Sequence, residues 1–181
     1  MFLTTNLRKG EQGMSTKDRP ALTGSYMGSI ADLVRQVVMV ALERFGAEEG
    51  WSGRVGGCFC LGNGITGDPL CIFFLGADSL KQFEVYETSV KQNMEYLKEH
   101  PGHDAPEGTI MAERVMFSLR GLPELGNEVA VLVAAVLTHE LSVRGAEIIA
   151  RKSKNPYFEP LCQAMERKGY CLYPERLINN P

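Results

Sequence analysis

Apolar side chains recur every three or four residues in several stretches of the chain, and this spacing places them on one face of an α-helix. In residues 29–49 the apolar stripe runs from Ile30 to Phe45, and Ser29 stands where a capping residue is expected. Capping residues, basic last turns and Pro or Gly stops delimit further stretches of this kind. The pattern predicts helices over residues 29–49, 78–100, 121–141, 142–154 and 160–168.

Two short apolar runs, residues 54–61 and 70–75, have the length and composition of β-strands. The residues between them, Gly-Asn-Gly-Ile-Thr-Gly-Asp-Pro, favour tight turns, so the two runs are predicted to form an antiparallel hairpin. The second run, Leu-Cys-Ile-Phe-Phe-Leu, has no polar position, and we expect both of its faces to be covered. Alternating apolar residues predict a third strand over residues 110–119.

The order of these elements, α-β-β-α-β-α-α-α, lacks the regular alternation that builds a doubly wound parallel sheet. It predicts an α+β fold in which a small antiparallel sheet, the hairpin plus at least one further strand, packs with about five helices. Residues 1–28 are polar and without periodicity, so we predict an N-terminal tail followed by a single domain, residues 29–181. Met14 offers an alternative start of translation.

Composition narrows the class of protein. The chain has 181 residues, of which 44% are hydrophobic and 23% charged, as in an ordinary globular domain. A formal net charge of −3 provides no field for nucleic acid or an anionic membrane, and no apolar run reaches the roughly 18–20 residues of a membrane span. The first residues lack the pattern of a secretory signal, so we expect a soluble cytoplasmic protein whose five cysteines are free thiols.

Residues 62–67 match the dinucleotide-binding pattern G-x-G-x-x-G. That pattern requires a helix N-terminus directly after it to receive the pyrophosphate. Here Asp68, Pro69 and another predicted strand follow instead. A hairpin turn is therefore the favoured interpretation.

Cys58 and Cys60 are predicted to share one face of the first strand, because side chains alternate along a strand. Whether Cys71 joins them depends on a register that the sequence leaves open. Three thiolates can bind zinc or carry redox chemistry, but structural zinc sites usually pair cysteines at C-x₂₋₄-C spacing and add a fourth ligand. Buried core thiols are the favoured interpretation, with metal binding or redox chemistry as the alternative.

The three histidines give two further candidates. His100, His103 and Asp104 cluster after the second predicted helix and are candidate ligands for a metal or a haem iron, with a solvated loop at a helix end as the favoured alternative. His139 falls on the apolar stripe of the third predicted helix, so it is predicted to face the core. There it would act as a ligand or general base, or remain a satisfied core histidine, which is the commoner case.

The segment from Phe117 to Leu125 passes directly from the third strand into a helix. Backbone N–H groups at such a helix start can hold an anion or a carboxylate, and Arg120 stands beside them. A connection between strand and helix without a ligand explains the same residues and is the favoured interpretation.

The opening helix, the glycine-rich hairpin and the following helix with Lys91 resemble, in element order, profilin- and roadblock-like domains and the small haem-binding domains found beside glycolate- and diol-utilisation enzymes. This resemblance covers residues 29–100. The haem-binding domains end in strands, whereas this chain ends in predicted helices, so no haem ligand is carried over and the cofactor is left unknown. Residues 117–158, with Gly-Leu-Pro-Glu-Leu and Asn-Pro-Tyr-Phe, resemble a distinct family without an assigned activity, which supplies no catalytic residue.

Two function classes follow. The first is a small-molecule-binding or sensing module that acts as a homodimer or larger homo-oligomer, with its ligand between the hairpin and the helices near Cys58, Cys60, Arg120 and His139. The second is a scaffold or protein-interaction protein without a ligand, supported by the apolar second strand. A cysteine- or metal-dependent hydrolase is a third alternative, and we lean against catalysis because no nucleophile motif is present.

Overall fold

The computed structural model describes residues 21–76, 80–100 and 108–173. In these residues the chain forms five helices and four strands, which confirms the predicted α+β class. In chain order they are α1 (Gly24–Phe45), β1 (Gly56–Asn63), β2 (Pro69–Gly76), α2 (Leu80–Glu99), β3 (Thr109–Met111), β4 (Val115–Arg120), α3 (Glu124–Leu137), α4 (Val143–Lys152) and α5 (Phe158–Arg167). None of these helices is both long and apolar enough to cross a membrane.

The described strands form one antiparallel sheet in the order β2-β1-β4-β3. The predicted hairpin is confirmed as β1 and β2, with Phe59 opposite Phe73. On its other side β1 pairs with β4, so that Phe59 also lies opposite Leu119. This places β1 and β4 in the interior of the sheet, where every residue of β1 from Gly56 to Gly62 is buried.

Helices cover the two faces of the sheet unequally. The larger core contains α1, α3 and α5 together with Phe59, Leu61 and Phe117 from the sheet, and the α3 residues from Val129 to Val136 are all buried in it. On the opposite face α2 encloses a smaller core, built from Cys58, Cys60, Met116, Val90, Met94 and Leu97. The sheet is thus the middle layer of three.

Two strand predictions are corrected by the structure. The single strand expected over residues 110–119 is a hairpin, because the Ala112 N–H donates to the Val115 carbonyl (2.9 Å) and turns β3 into β4. The polar pair Glu113 and Arg114 occupies this turn. The prediction that both faces of the second strand are covered is wrong, since β2 lies at an edge and Phe74 is 47% exposed. The strands that are covered on both faces are β1 and β4.

Helix boundaries differ modestly from the predictions. Helix α1 begins at Gly24, because the Thr23 hydroxyl accepts from the Tyr26 N–H (3.3 Å) and caps the helix there. Ser29 is therefore inside the helix, and the last residues of the predicted tail are helical. The predicted cap at Ser142 is confirmed, since its hydroxyl accepts from the Gly145 N–H at 3.0 Å.

A buried ion pair ties the β3–β4 turn to the end of α3. The Glu140 side chain is 0% exposed, and the Arg114 guanidinium donates to both of its carboxylate oxygens. The Tyr26 hydroxyl of α1 also donates to Glu140, at 3.0 Å. Burial and the neighbouring Glu140 raise the pKa of Tyr26 to about 12, so the phenol stays neutral and keeps its proton for this bond.

Replacing Arg114 by Met should destabilise the protein by about 3–5 kcal/mol, because it removes a cationic partner of the buried Glu140 carboxylate. The free energy of unfolding can be measured in urea by the fluorescence of Trp51, which is the single tryptophan and is fully buried. The matched control is Arg35→Met, which removes only an exposed pair with Asp32. Equal losses in the two variants would contradict a structural role for the Glu140 pair.

Two helical glycines provide a second test of the packing. A Cβ at Gly126 of α3 would lie 2.8 Å from two ring carbons of Trp51, whereas a Cβ at Gly28 of α1 would meet nothing within 4 Å. Gly126→Ala should therefore destabilise by about 1–3 kcal/mol through overpacking. Gly28→Ala should stabilise by about 0.4–1 kcal/mol by restricting the unfolded chain. The same urea titrations distinguish the two, and a stabilising Gly126→Ala would show that the Trp51 contact is not tight.

Candidate ligand site beneath helix α2

The face of the sheet beneath α2 brings together three of the four predicted ligand residues. Cys58 of β1 lies directly opposite Arg120 of β4, and Cys60 lies opposite Ser118. Directly opposite residues have their side chains on the same face of a sheet, and side chains alternate along each strand. Cys58, Cys60, Ser118 and Arg120 therefore all point to the side that α2 covers. The sequence predicted the shared face of the two cysteines, and the β1–β4 register adds Arg120 to it.

Arg120 is the least compensated charge at this site. It is only partly exposed, and its Nε is buried without a hydrogen-bond partner among the residues that the structure describes. Burial lowers the pKa of Arg120 from its ordinary value, although a guanidinium remains charged at neutral pH. No described carboxylate forms an ion pair with it. A partly buried cation of this kind is costly unless an anion compensates it.

The two cysteines are poor nucleophiles in this environment. Burial raises the pKa of Cys58 to about 12 and that of Cys60 to about 12. The Cys60 thiol contacts the Met94 thioether of α2, with 3.0 Å between the sulfur atoms. All five cysteines lie in described residues and are free thiols, as expected. Cys58 and Cys60 are therefore buried, neutral core thiols on the same face of the sheet as Arg120.

A buried chain of polar side chains lies next to Arg120, and the sequence pattern did not predict it. The Asn93 amide of α2 donates to the Thr109 hydroxyl (3.1 Å), which shares a hydrogen bond with the Ser118 hydroxyl (2.8 Å). Ser118 is two residues before Arg120 on the same face of β4. These residues come from three elements that only the sheet register and the docking of α2 bring together.

His139 does not join this group, and the prediction that it faces the core is wrong. Helix α3 ends at Leu137, and His139 is exposed with a φ of 59°. The helical spacing that predicted a core position for His139 does not hold beyond the last residue of the helix. Helix α3 also packs on the face of the sheet opposite to Arg120.

The candidate metal ligands are only partly covered by the structure. The His100 Nδ1 lies 2.9 Å from the Tyr96 carbonyl oxygen, and its ring stacks on Tyr96 with 4.5 Å between centroids. His103 and Asp104 lie outside the described residues. Within residues 21–76, 80–100 and 108–173, no group of three His, Cys, Asp or Glu side chains is placed to hold a metal ion.

The glycine-rich hairpin loop uses its N–H groups internally. The Ile65 and Thr66 N–H groups both donate to the Asn63 side chain, at 2.8 and 3.0 Å. The Asp68 N–H points at the Thr66 hydroxyl, and the Gly64 N–H donates to the Arg114 carbonyl. This confirms the hairpin interpretation, since these donors are not directed at a phosphate.

The turn from β4 into α3 is likewise closed on itself. The Asn127 side chain accepts from the Leu122 N–H (3.0 Å) and donates to the Leu122 carbonyl (2.9 Å). Arg120 points to the α2 face, away from the α3 start. The hypothesis of an anion held jointly by Arg120 and the helix start is therefore not supported, and Arg120 has to be considered with the residues beneath α2.

A shallow groove of about 250 Å³ runs between the hairpin loop and α2. It is lined by Gly67, Asp68, Pro69, Lys91, Met94, Glu95 and Lys98. Its charges are partly paired, because Lys98 contacts Asp68 at 3.0 Å. Met94 connects the groove to the two cysteines, but none of the four predicted ligand residues lines it.

Comparison with known proteins gives no relative from which a role can be carried over: no family model, curated protein or solved structure matches the chain.

The thiol environment can be tested directly. Cys171 is exposed, whereas Cys58 and Cys60 are fully buried. In the native protein we expect iodoacetamide to label Cys58 and Cys60 at least about a hundredfold more slowly than Cys171, because burial and a raised thiol pKa both suppress the thiolate. Peptide mapping by mass spectrometry reports each site, and Cys171→Ser should remove the fast phase. Fast labelling of Cys58 or Cys60 would show an open, activated thiol instead.

Proposed function

We propose that this protein is a small-molecule-binding or sensing module whose ligand is a small anion, most simply a carboxylate, held by Arg120 beneath helix α2. The observation that carries the proposal is the partly buried Arg120 guanidinium, whose Nε has no partner among the described residues. A buried polar atom without a hydrogen-bond partner needs a physical explanation, and a bound anion at the guanidinium provides one.

The chemistry of Arg120 and its neighbours favours a carboxylate as the ligand. A guanidinium can donate two parallel hydrogen bonds to a carboxylate, which gives both affinity and orientation. The buried hydrogen-bonded chain of Asn93, Thr109 and Ser118 joins α2, β3 and β4 beside Arg120 and holds these elements in place. Cys58, directly opposite Arg120, is a neutral thiol and adds no charge that would compete with an anion.

The proposal predicts an anion-dependent stabilisation that Arg120 mediates. Inorganic phosphate, acetate, succinate and citrate, at ionic strength matched with chloride, should include at least one anion that raises the melting temperature of the wild type. A ligand at a hundred times its Kd stabilises by about 2.7 kcal/mol. Arg120→Met should lose this response and should not be less stable without ligand, because it removes an uncompensated charge.

Arg35→Met is the control, because Arg35 is exposed on α1 and pairs with Asp32. It should keep the full response to the anion. A melting temperature that rises equally in the wild type and in Arg120→Met would contradict the proposed site, as would a wild type that responds to none of these anions.

The second candidate is a scaffold or interaction protein without a ligand. The exposed apolar side chains of the edge strand β2 favour it, with Leu70 at 38% and Phe74 at 47% exposure. In this case Arg120 would be a structural residue and no anion would stabilise the protein. A cysteine-dependent hydrolase is disfavoured by the raised pKa values of Cys58 and Cys60. A homo-oligomeric state and a cytoplasmic location remain parts of the proposal.

A further inference from the structure

Strand β2 leaves an unprotected edge in the described sheet. Among the described strands it pairs with β1 alone. From Leu70 to Leu75 it presents six apolar residues in a row without a charge. Sheet edges in natural proteins are usually short, charged, bulged or covered, because a free apolar edge pairs readily with another strand.

The hydrogen-bond pattern shows which residues of β2 turn their backbone groups outward. The Leu119 N–H donates to the Gly108 carbonyl, so the odd-numbered residues of β4 point their backbone groups at β3. The backbone groups of the even-numbered residues of β4 then form hydrogen bonds with the even-numbered residues of β1, which lie opposite them. The odd-numbered residues of β1 therefore direct their backbone groups at β2. With the observed register, Cys71, Phe73 and Leu75 face β1. Leu70, Ile72 and Phe74 therefore direct their N–H and C=O groups away from the sheet.

The same three residues carry an apolar strip beside this edge. Their side chains lie on the α2 face of the sheet, since Phe74 is opposite Cys58 and Ile72 is opposite Cys60. The Phe74 ring contacts Phe83 of α2 at 4.9 Å between centroids and is still 47% exposed. Free backbone groups and exposed apolar side chains thus coincide.

We infer that a second copy of this chain pairs with β2, strand against strand and antiparallel, across a twofold axis at Ile72. In this register Leu70 lies opposite Phe74 of the second copy, and Ile72 lies opposite Ile72. All of these positions turn their backbone groups outward, so each becomes a hydrogen-bonded pair that exchanges two bonds. The two sheets join into one of eight strands, and the apolar strips of both copies become continuous.

Self-complementarity and charge favour a second copy over a different partner. The strip is uncharged, and the neighbouring helix α2 carries three lysines and four glutamates, so it offers no strong field for an acidic or basic partner. Mixed charges of both signs let two identical surfaces meet without large repulsion. A twofold axis needs one patch that fits itself, and an antiparallel strand provides it. The inference rests on the homo-oligomeric part of the proposed function and names its interface.

The first experiment measures the mass of the full chain in solution by sedimentation velocity across a wide range of protein concentration. We expect the wild type to be a dimer and Ile72→Lys to be a monomer with unchanged circular dichroism and Trp51 fluorescence. The matched control is Ile148→Lys, which adds the same charge at a 50% exposed isoleucine of α4 and should remain a dimer. A monomeric wild type, or a dimeric Ile72→Lys, overturns the inference.

The second experiment tests the register. Opposite residues in a hydrogen-bonded antiparallel pair have Cα atoms about 5.5 Å apart, a separation that a disulfide spans. With Cys71 and Cys171 both replaced by Ser, Ile72→Cys should form a covalent dimer on mild oxidation, whereas Leu70→Cys should not. Cross-linking of Leu70→Cys in place of Ile72→Cys, or of the native Cys71, would contradict the twofold axis at Ile72.

Three further outcomes separate this inference from its alternatives. If the full chain is a monomer and becomes a dimer only after residues 1–20 are removed, the N-terminal segment covers the edge and the inference fails. If Ile72→Lys is a monomer that keeps the anion response of Arg120, the interface stands independently of the ligand site. A wild-type monomer that responds to an anion would remove the interface and leave the ligand proposal intact.

Discussion

The structure depends on a single constraint, which is that β1 is buried on both of its faces. From Gly56 to Gly62 no residue of this strand is exposed. A strand of this kind needs a neighbouring strand at each edge and a layer of side chains above and below it. Strands β2 and β4 meet the first need, and the helices on the two sides of the sheet meet the second. Close approach is part of this arrangement, since a Cβ at Gly57 would lie 2.0 Å from the Arg120 carbonyl oxygen.

The two sides of β1 differ in chemistry, and this difference locates the candidate site. On the side of α1 and α3 the core is mostly aliphatic and aromatic. On the side of α2 it contains thiols, thioethers and the hydrogen-bonded chain from Asn93 to Ser118. Among the described residues a single helix covers that side, and Arg120 at the end of β4 is only partly enclosed. The Arg120 guanidinium, which has no counter-charge among the described residues, thus lies on the less fully covered face of the sheet.

Helix α2 borders both surfaces to which we assign a role. Its Phe83 packs on Phe74 at the edge strand, and its Val90 and Met94 enclose the sulfur-rich core. A second copy bound at β2 would therefore contact the same helix that covers the ligand site. This shared element is a physical route by which assembly and ligand binding can influence each other, because any shift of α2 changes both surfaces.

The sequence alone determined the local elements, because helical spacing, caps and turn residues act within a few neighbouring positions. It correctly predicted five helices, the β1–β2 hairpin, the cap at Ser142 and the shared face of Cys58 and Cys60. It could not show that β3 and β4 are separate strands, since their alternation reads as one continuous pattern. It also misplaced the buried strand, because the apolar composition of β2 does not reveal its position in the sheet.

Only the tertiary structure decided which side chains meet. The β1–β4 register put Arg120 opposite Cys58, and the docking of α2 brought Asn93 to Thr109. The end of α3 at Leu137 removed His139 from the core that its spacing predicted. The order of strands left β2 at the edge, which is the origin of its exposed apolar strip. These outcomes depend on contacts between residues far apart in the chain, and a local pattern carries no information about them.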